Sequence, residues 1–186
     1  MSSRRLDRVM KRFGLFRRSA FIICLLFSCS VMAAEGWRAQ LPEMSLVGSG
    51  RLQVFFIDIY QLTLVAEDGQ YAPGRDFALV FDYLTSVSKA SIIDASLDKL
   101  ADQDHVSAAD IKQWRALLNQ GIVDMAKGSS AIVIFFKDGR VGFVHGTAAP
   151  VMFNAPKFAA KFAAIWLGQK TAYPGLRRQL LGVSQP

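Results

Sequence analysis

An apolar run from residue 51 to residue 65 is rich in β-branched and aromatic residues, which predicts a single long strand. Both sets of alternating positions in this run are apolar: one set includes Phe55 and Ile57, and the other includes Phe56 and Leu62. A strand with one face in water would alternate apolar with polar residues. We therefore expect other parts of the fold to cover both faces of this strand.

Further strands are predicted where β-branched and aromatic residues cluster between turn signals. These segments are residues 77–83, 131–137 and 141–146, with a short edge strand at 151–153. The pair Asp138-Gly139 separates two of these runs and is a strong signal for a hairpin.

Helices are predicted where apolar residues recur at helical spacing, in residues 88–102, 107–128, 154–168 and 174–181. Ser88 and Asn154 can cap two of these helices, and Ser107 with Asp110 has the spacing of a capping box. The order of strands, helices, a hairpin and further helices is typical of an α+β fold. We expect an antiparallel sheet with helices packed over at least one face.

The beginning of the chain has the pattern of a secretory signal peptide. Seven basic residues and one acidic residue precede or border an apolar stretch at residues 19–34, which ends in Ala33-Ala34. Residues 1–34 are therefore predicted to be a cleaved leader, and residues 35–186, called the body below, to be one domain that is periplasmic or secreted. Two alternatives stay open: an uncleaved membrane anchor, which a stretch of this length fits poorly, and a lipoprotein with Cys29 as lipid acceptor.

The body differs from the whole chain in its net charge and in its cysteine content. Of the 22 basic and 15 acidic residues of the chain, 15 and 14 belong to the body, which leaves it a net charge near +1. That balance gives no basic patch for nucleic acid. Both cysteines, Cys24 and Cys29, lie in the leader. The predicted mature protein therefore has no disulfide, catalytic thiolate or iron–sulfur cluster.

The histidines and glycines of the body suggest no metal site and no cofactor. His105 has Asp102, Asp104 and Asp110 around it, but metal sites rarely rest on a single histidine, so a solvated loop between helices is the favoured interpretation. His145 lies on a predicted strand, where a packed or surface histidine is favoured over a catalytic base. Gly48-Ser49-Gly50 lacks the third glycine of a phosphate loop, and a turn or bulge is expected there.

Arg51 and Tyr60 are the candidate ligand-binding residues. A buried guanidinium needs a partner, so Arg51 either points into solvent or meets an anion in a pocket. Tyr60 lies on the opposite face from Arg51 in a regular strand, although a bulge near Phe55-Phe56 would change this relation. Asp58 is expected to share a face with Tyr60 and to pair with a basic neighbour.

Four short motifs together resemble bacterial chalcone isomerase-like proteins. Gly48-x-Gly50-Arg51 with Phe56-x-x-x-Tyr60-x-Leu62 resembles the opening motif of that family. The turn before the later strands of that family resembles residues 128–132, and its C-terminal motif resembles residues 162–168 and 176–182. The match extends over residues 46–182.

The resemblance implies an open-faced β-sandwich, in which helices cover one face of a large antiparallel sheet and a ligand cleft lies between them. It also gives Arg51 a role, because an arginine of this motif meets a phenolate in the isomerases and a carboxylate in fatty-acid-binding relatives. Two departures weigh against isomerase chemistry: Leu176 replaces a cleft threonine, and the segment of the plant catalytic tyrosine is missing between Ser88 and Trp114.

The sequence therefore predicts an exported, non-catalytic protein that binds a lipophilic anion such as a fatty acid through Arg51 and Tyr60, with no cofactor. An isomerase or intramolecular lyase that uses Tyr60, Tyr83 or His145 is the first alternative. A structural or interaction module, with its cleft filled by its own phenylalanines, is the second. The expected partner is a small lipophilic ligand and not nucleic acid, the leader is the only expected membrane contact, and protein partners stay open.

Overall fold

The computed structural model describes residues 44–183, so the predicted leader and the first residues of the body lie outside the described part. Residues 44–183 belong to one compact unit, which contains every described strand and helix. Within residues 44–183, none of the helices has the length and apolar character needed to cross a bilayer.

In the described part of the chain, the sheet has six antiparallel strands in the order of the sequence, each paired with the next. The strands are β1 (Met44–Val54), β2 (Ile57–Glu67), β3 (Phe77–Tyr83), β4 (Ser130–Phe135), β5 (Arg140–His145) and β6 (Val151–Asn154). The predicted strands at 77–83, 131–137, 141–146 and 151–153 are confirmed within a few residues.

Four helices follow the predicted segments: α1 (Lys89–Ala101), α2 (Ala108–Gly121), α3 (Pro156–Leu167) and α4 (Pro174–Leu180). The cap at Ser88 and the capping box of Ser107 with Asp110 are both present. Helix α2 ends earlier than predicted, because Met125 pairs with Val87 in a bridge that holds the following segment extended. Helix α3 begins after Ala155, and no side chain caps it.

Both faces of the sheet carry buried apolar residues, but the expected cover over both faces of the 51–65 run is missing at Phe55 and Phe56, which are exposed. The larger core lies between the sheet and the helices and contains Leu62, Leu79 and Phe143, which are almost fully buried. A second buried cluster occupies the opposite face and includes Ala78 and Ile134. The predicted arrangement of an antiparallel sheet with helices packed against one face is confirmed.

The predicted single strand at residues 51–65 is wrong, because the run contains a hairpin. Strands β1 and β2 are joined by a two-residue turn at Phe55-Phe56, and Val54 pairs with Ile57 across it. Both turn residues have positive φ, at 46° and 66°, as in the primed turns that connect tight hairpins. Asn and Gly favour this conformation and Phe does not, so the sequence carries no local signal for the turn.

A bulge in β2 decides which side chains of this hairpin face the helices. Leu52 pairs with Tyr60, but the next residue, Gln53, pairs with Asp58, so Ile59 is an additional residue in β2. Tyr60 therefore points toward the helices, whereas Asp58 lies on the opposite face of the sheet, beside Arg51. The expectation that Asp58 and Tyr60 share a face is wrong for this reason.

Two glycines of β1 allow helix α4 to pack directly against the strand. A Cβ atom at Gly48 would collide with the backbone carbonyl groups of Gln179 and Leu180. One at Gly50 would collide with the side chains of Gln179 and Leu176. A strand bulge lies immediately before Gly48, in agreement with the expected turn or bulge. The Gly-Ser-Gly motif thus serves close packing between a strand and a helix.

We predict that Gly48→Ala destabilises the body by about 1–3 kcal/mol, because backbone atoms of α4 must move to admit the methyl group. Gly175→Ala is the matched control, since a Cβ there meets open space in a helix and should stabilise by up to about 1 kcal/mol. Urea unfolding followed by tryptophan fluorescence measures both changes. Equal stabilities of the two variants would contradict the proposed close contact.

Candidate ligand-binding site

A cavity of about 280 Å³ lies between the sheet and helices α1 and α3. The wall of the cavity is mostly apolar. The residues that line it come from strands β1 to β5, the two helices and nearby loops. The strand contribution includes Leu52, Tyr60, Phe81, Tyr83, Val133, Phe143 and His145. The helix contribution includes Ser91, Ile92, Ala95, Ser96, Lys99, Phe162, Ile165 and Trp166.

Strand and helix periodicities place these residues in the wall. Alternate residues of a strand share a face, so Phe81 and Tyr83 point together toward the helices. Residues four apart share a face of a helix, so Ser91, Ala95 and Lys99 form one row along α1. The cavity is therefore bounded on one side by the sheet and on another by this row of α1.

The cavity opens between the end of β1 and helix α1. Three of its lining residues are themselves exposed, namely Val54, Ser91 and Ala95. Val54 is the last residue of β1 before the Phe55-Phe56 turn, and the other two lie on α1. The mouth of the cavity therefore lies next to the tip of the first hairpin.

Tyr60 and Trp166 connect the sheet to helix α3 inside the wall. The indole Nε1 of Trp166 donates a hydrogen bond of 2.9 Å to the hydroxyl oxygen of Tyr60. Within residues 44–183 this is the only hydrogen bond found for the Tyr60 hydroxyl, so its own proton remains available to a ligand. Burial raises the pKa of Tyr60 well above its usual value, so the phenol stays protonated and acts as a donor.

Tyr83 extends the same aromatic wall. Its ring centroid lies 5.7 Å from that of Tyr60, and the Tyr60 ring lies 5.2 Å from Phe81 in an edge-to-face arrangement. Burial raises the pKa of Tyr83 to about 12. Both phenols are therefore neutral hydrogen-bond donors at physiological pH, and neither is suited to remove a proton.

His145 places an unpartnered nitrogen in the wall. Its Nε2 lies 2.6 Å from the carbonyl oxygen of Gly121, and a carbonyl accepts only, so Nε2 carries the proton in this contact. Nδ1 is buried and meets no hydrogen-bonding partner among the described residues. In the neutral ring, Nδ1 is a free acceptor for a ligand hydroxyl; in the protonated ring, it becomes a donor.

Lys99 supplies the charge at this site. Of the described residues that line the cavity, only Lys99 is permanently charged at neutral pH. It also borders a neighbouring surface cleft, which places it at the rim. Its Nζ lies 3.8 Å from a carboxylate oxygen of Asp102, a residue that lines the neighbouring cleft.

Arg51 does not line this cavity, and the structure does not bring it together with Tyr60. Its side chain is 54% exposed on the face of the sheet opposite the helices, where it forms an ion pair of 2.7 Å with Asp58. Of the two outcomes considered for Arg51, the structure places it toward solvent. Its role as a ligand contact stays a prediction, and the geometry of the cavity does not support it.

The acidic residues around His105 are engaged in ion pairs. Asp104 pairs with Lys170 and Asp110 with Lys157, each at 2.7 Å. Hydrogen bonds from Lys157 and Ser107 to the Asp110 carboxylate lower the pKa of Asp110 to about 2. No group of three or more potential metal ligands occurs in the described part of the chain.

A second cleft of about 930 Å³ lies near α3 and α4 and is more open and more polar. Two of its three basic residues have partners: Arg75 pairs with Glu67 and Asp68, and Arg177 donates a 2.9 Å hydrogen bond to the carbonyl of Leu167, while Lys137 also lines the cleft. The smaller cavity combines enclosure, an apolar wall and unused polar groups. It is therefore the better candidate site.

Comparisons with known proteins extend the structural result. No protein-family profile and no curated protein sequence matches this chain. Among solved structures, a fatty-acid binding protein of Arabidopsis thaliana is similar, with a TM-score of 0.59 and 11% sequence identity over 75% of this chain and 87% of that one. Likeness at this identity concerns the fold alone, and it confirms the predicted chalcone isomerase-like α+β fold.

Sequence reasoning singled out Tyr60, Tyr83 and His145, and the structure brings all three into one cavity. It missed Lys99 and Trp166. The spacing of Ser91 and Lys99, two helical steps of four residues apart, was a usable signal, because it sets two polar residues on one face of a predicted helix. The pairing of Trp166 with Tyr60 joins distant parts of the chain and has no local signal.

We predict that ionisation of the buried phenols weakens the fold in alkali. The pKa of Tyr83 is about 12 in the folded state and near 10 in the unfolded state. The contribution of Tyr83 to the free energy of unfolding is therefore constant below pH 10. It is lost as the pH rises above 10, by about 1.4 kcal/mol per pH unit. Urea unfolding between pH 8 and pH 11.5 should therefore show a steeper decline for the parent body than for Tyr83→Phe. Parallel curves above pH 10 would contradict the raised pKa.

Proposed function

We propose that the protein binds a small lipophilic molecule with a polar or anionic head, such as a fatty acid, in the cavity between the sheet and helices α1 and α3. The observation that carries this proposal is a largely apolar enclosure that contains a phenolic donor and has one lysine among its lining residues. The similar fold of a plant fatty-acid binding protein supports it.

The chemistry of the wall favours an amphipathic ligand. Side chains such as Leu52, Val133 and Phe162 offer contacts only to apolar groups. The protonated hydroxyl of Tyr60 can donate to a carboxylate or carbonyl oxygen, and Lys99 can compensate a negative charge. The ligand would therefore bind with its apolar part in the interior of the cavity and its charged end near Lys99.

The size of the cavity favours a slender ligand. A volume of about 280 Å³ lies just below the usual range of roughly 300–1,000 Å³ for small-molecule sites. Phe81, Phe143 and Phe162 occupy part of the interface between sheet and helices but leave this space open.

We also propose that the protein is exported. The leader pattern at residues 1–34 supports delivery of the body to the periplasm or the exterior, with the leader removed. An exported protein meets lipophilic molecules in water and in membranes, where a carrier for them has a use.

We predict that blocking the mouth abolishes binding. Ala95→Trp puts a bulky side chain at the opening, on an exposed helical position that folding tolerates. Affinity of the purified body for cis-parinaric acid, followed by its fluorescence, should fall by about tenfold or more. Ala90→Trp, on the same helix and outside the cavity wall, is the matched control and should bind normally. Equal affinity of both variants would place the ligand elsewhere.

We predict that the ammonium of Lys99 contacts the head of the ligand. Lys99→Met should weaken binding of cis-parinaric acid by roughly three- to tenfold and leave its methyl ester unaffected, because a partly exposed ion pair contributes about 1 kcal/mol. Lys112→Met on α2 controls for loss of charge. Arg51→Met tests the other cation and should leave affinity unchanged, since that side chain lies on the far face of the sheet. Loss of binding in Arg51→Met alone would reverse the assignment.

An isomerase is the second candidate function, favoured by the presence of Tyr60, Tyr83 and His145 in one cavity. The two phenols could polarise a carbonyl oxygen, and Nδ1 of His145 could accept a proton. Turnover of a chalcone by the purified body, lost in both Tyr60→Phe and His145→Gln, would establish catalysis in place of binding.

A further inference from the structure

The tip of the first hairpin exposes a continuous apolar segment. Phe55 and Phe56 are 91% and 94% exposed, and their neighbours Val54 and Ile57 are 38% and 57% exposed. Single exposed apolar residues are common on soluble proteins, but four in succession at a projecting turn are not. Folding alone gives no reason for this arrangement, since none of the four side chains gains full burial.

The backbone at the tip adds an independent observation. Phe55 and Phe56 both have positive φ, a region that bulky L-residues enter at a conformational penalty. Asn-Gly would form the same turn without that penalty. Strained backbone of this kind concentrates at functional sites. The hairpin tip therefore combines two features that disfavour the folded protein in water.

The tip also stands at the mouth of the candidate cavity. Val54 and Ile59, on either side of the turn, both line the cavity, and Val54 is itself 38% exposed. The two phenylalanines thus project from the edge of the opening. Anything that covers the tip also faces the route by which a ligand enters.

Charge near the tip is balanced. Residues 52–57 contain no charged side chain, and the nearest charges on the two strands, Arg51 and Asp58, form an ion pair of 2.7 Å. A surface that attracts its partner through charge would leave one sign uncompensated. The tip is therefore suited to an apolar partner, and its binding should depend little on salt.

We propose that the Phe55-Phe56 tip inserts into the interfacial region of a lipid bilayer, so that a lipophilic ligand passes between the bilayer and the cavity through the adjacent mouth. The inference rests on the proposed function for the role of the ligand, but not for insertion itself. A stable protein interface buries about 800 Å² on each partner. Two exposed phenylalanines offer roughly 400 Å² on a convex turn, which suits a deformable bilayer better than a protein surface.

Flotation of the purified body with lipid vesicles tests the insertion. The leader is omitted because its apolar stretch would itself bind lipid, and the compact unit that remains contains every described strand and helix. Vesicles of phosphatidylcholine alone, and with a third phosphatidylglycerol, are used at low and high salt. The body should float with both kinds of vesicle at both salt concentrations.

The decisive variant is Phe55→Asn combined with Phe56→Gly. It supplies the residues that the turn prefers, so its thermal unfolding temperature should be equal or higher while its vesicle partitioning falls by about tenfold or more. Leu46→Ser is the matched control, since Leu46 is 64% exposed near the other end of β1 and should partition as the parent does. Undiminished partitioning of the tip variant would overturn the proposal.

Two further measurements separate this inference from the proposed function. In solution without vesicles, the tip variant should bind cis-parinaric acid with unchanged affinity but receive it from vesicles more slowly than the parent. Tip-dependent flotation with no binding of cis-parinaric acid would refute the lipophilic-ligand function and leave the insertion standing. Tip-dependent dimerisation in sedimentation equilibrium, without flotation, would overturn the insertion in favour of a second copy of the chain.

Discussion

The hydrogen bond between Trp166 and Tyr60 is the contact on which the candidate site depends. It joins residues 106 positions apart, one on helix α3 and one on β2, and both side chains are buried. Loss of either partner would leave a polar group unsatisfied in apolar surroundings, at a cost of about 1–3 kcal/mol. The bond therefore fixes α3 against the sheet and sets the hydroxyl of Tyr60 beside the cavity.

A single additional residue in β2 determines how charge is distributed around this contact. Because Ile59 forms a bulge, Tyr60 turns inward while Asp58 turns outward to meet Arg51. The guanidinium is neutralised on the far face of the sheet, and the aromatic wall remains free of charge. In the proposed function, the positive group for a ligand head comes from the helix layer, through Lys99, which lines both the cavity and the neighbouring cleft.

The parts of the fold that depend on local signals were predictable, and those that depend on distant contacts were not. Ser88 and Ser107 marked helix starts because capping is decided within one turn. The hairpin at Phe55-Phe56 escaped prediction because its residues contradict turn preferences, so tertiary structure imposes the turn. In the site, Tyr60 was found from its strand, but its face relative to Asp58 followed from a bulge that leaves no trace in the sequence.

In the proposed function, the hairpin with positive φ at Phe55 and Phe56 lies where a ligand would enter and leave the cavity. A lipophilic ligand that leaves an apolar cavity for water loses about 25 cal/mol for each Å² of apolar surface that becomes wet, and this slows its release. Release is faster when the opening meets another apolar phase directly, because the ligand then stays out of water throughout. An opening bordered by Val54 and projecting phenylalanines provides such a contact. The proposed ligand exchange would thus use the features that weaken the hairpin in water.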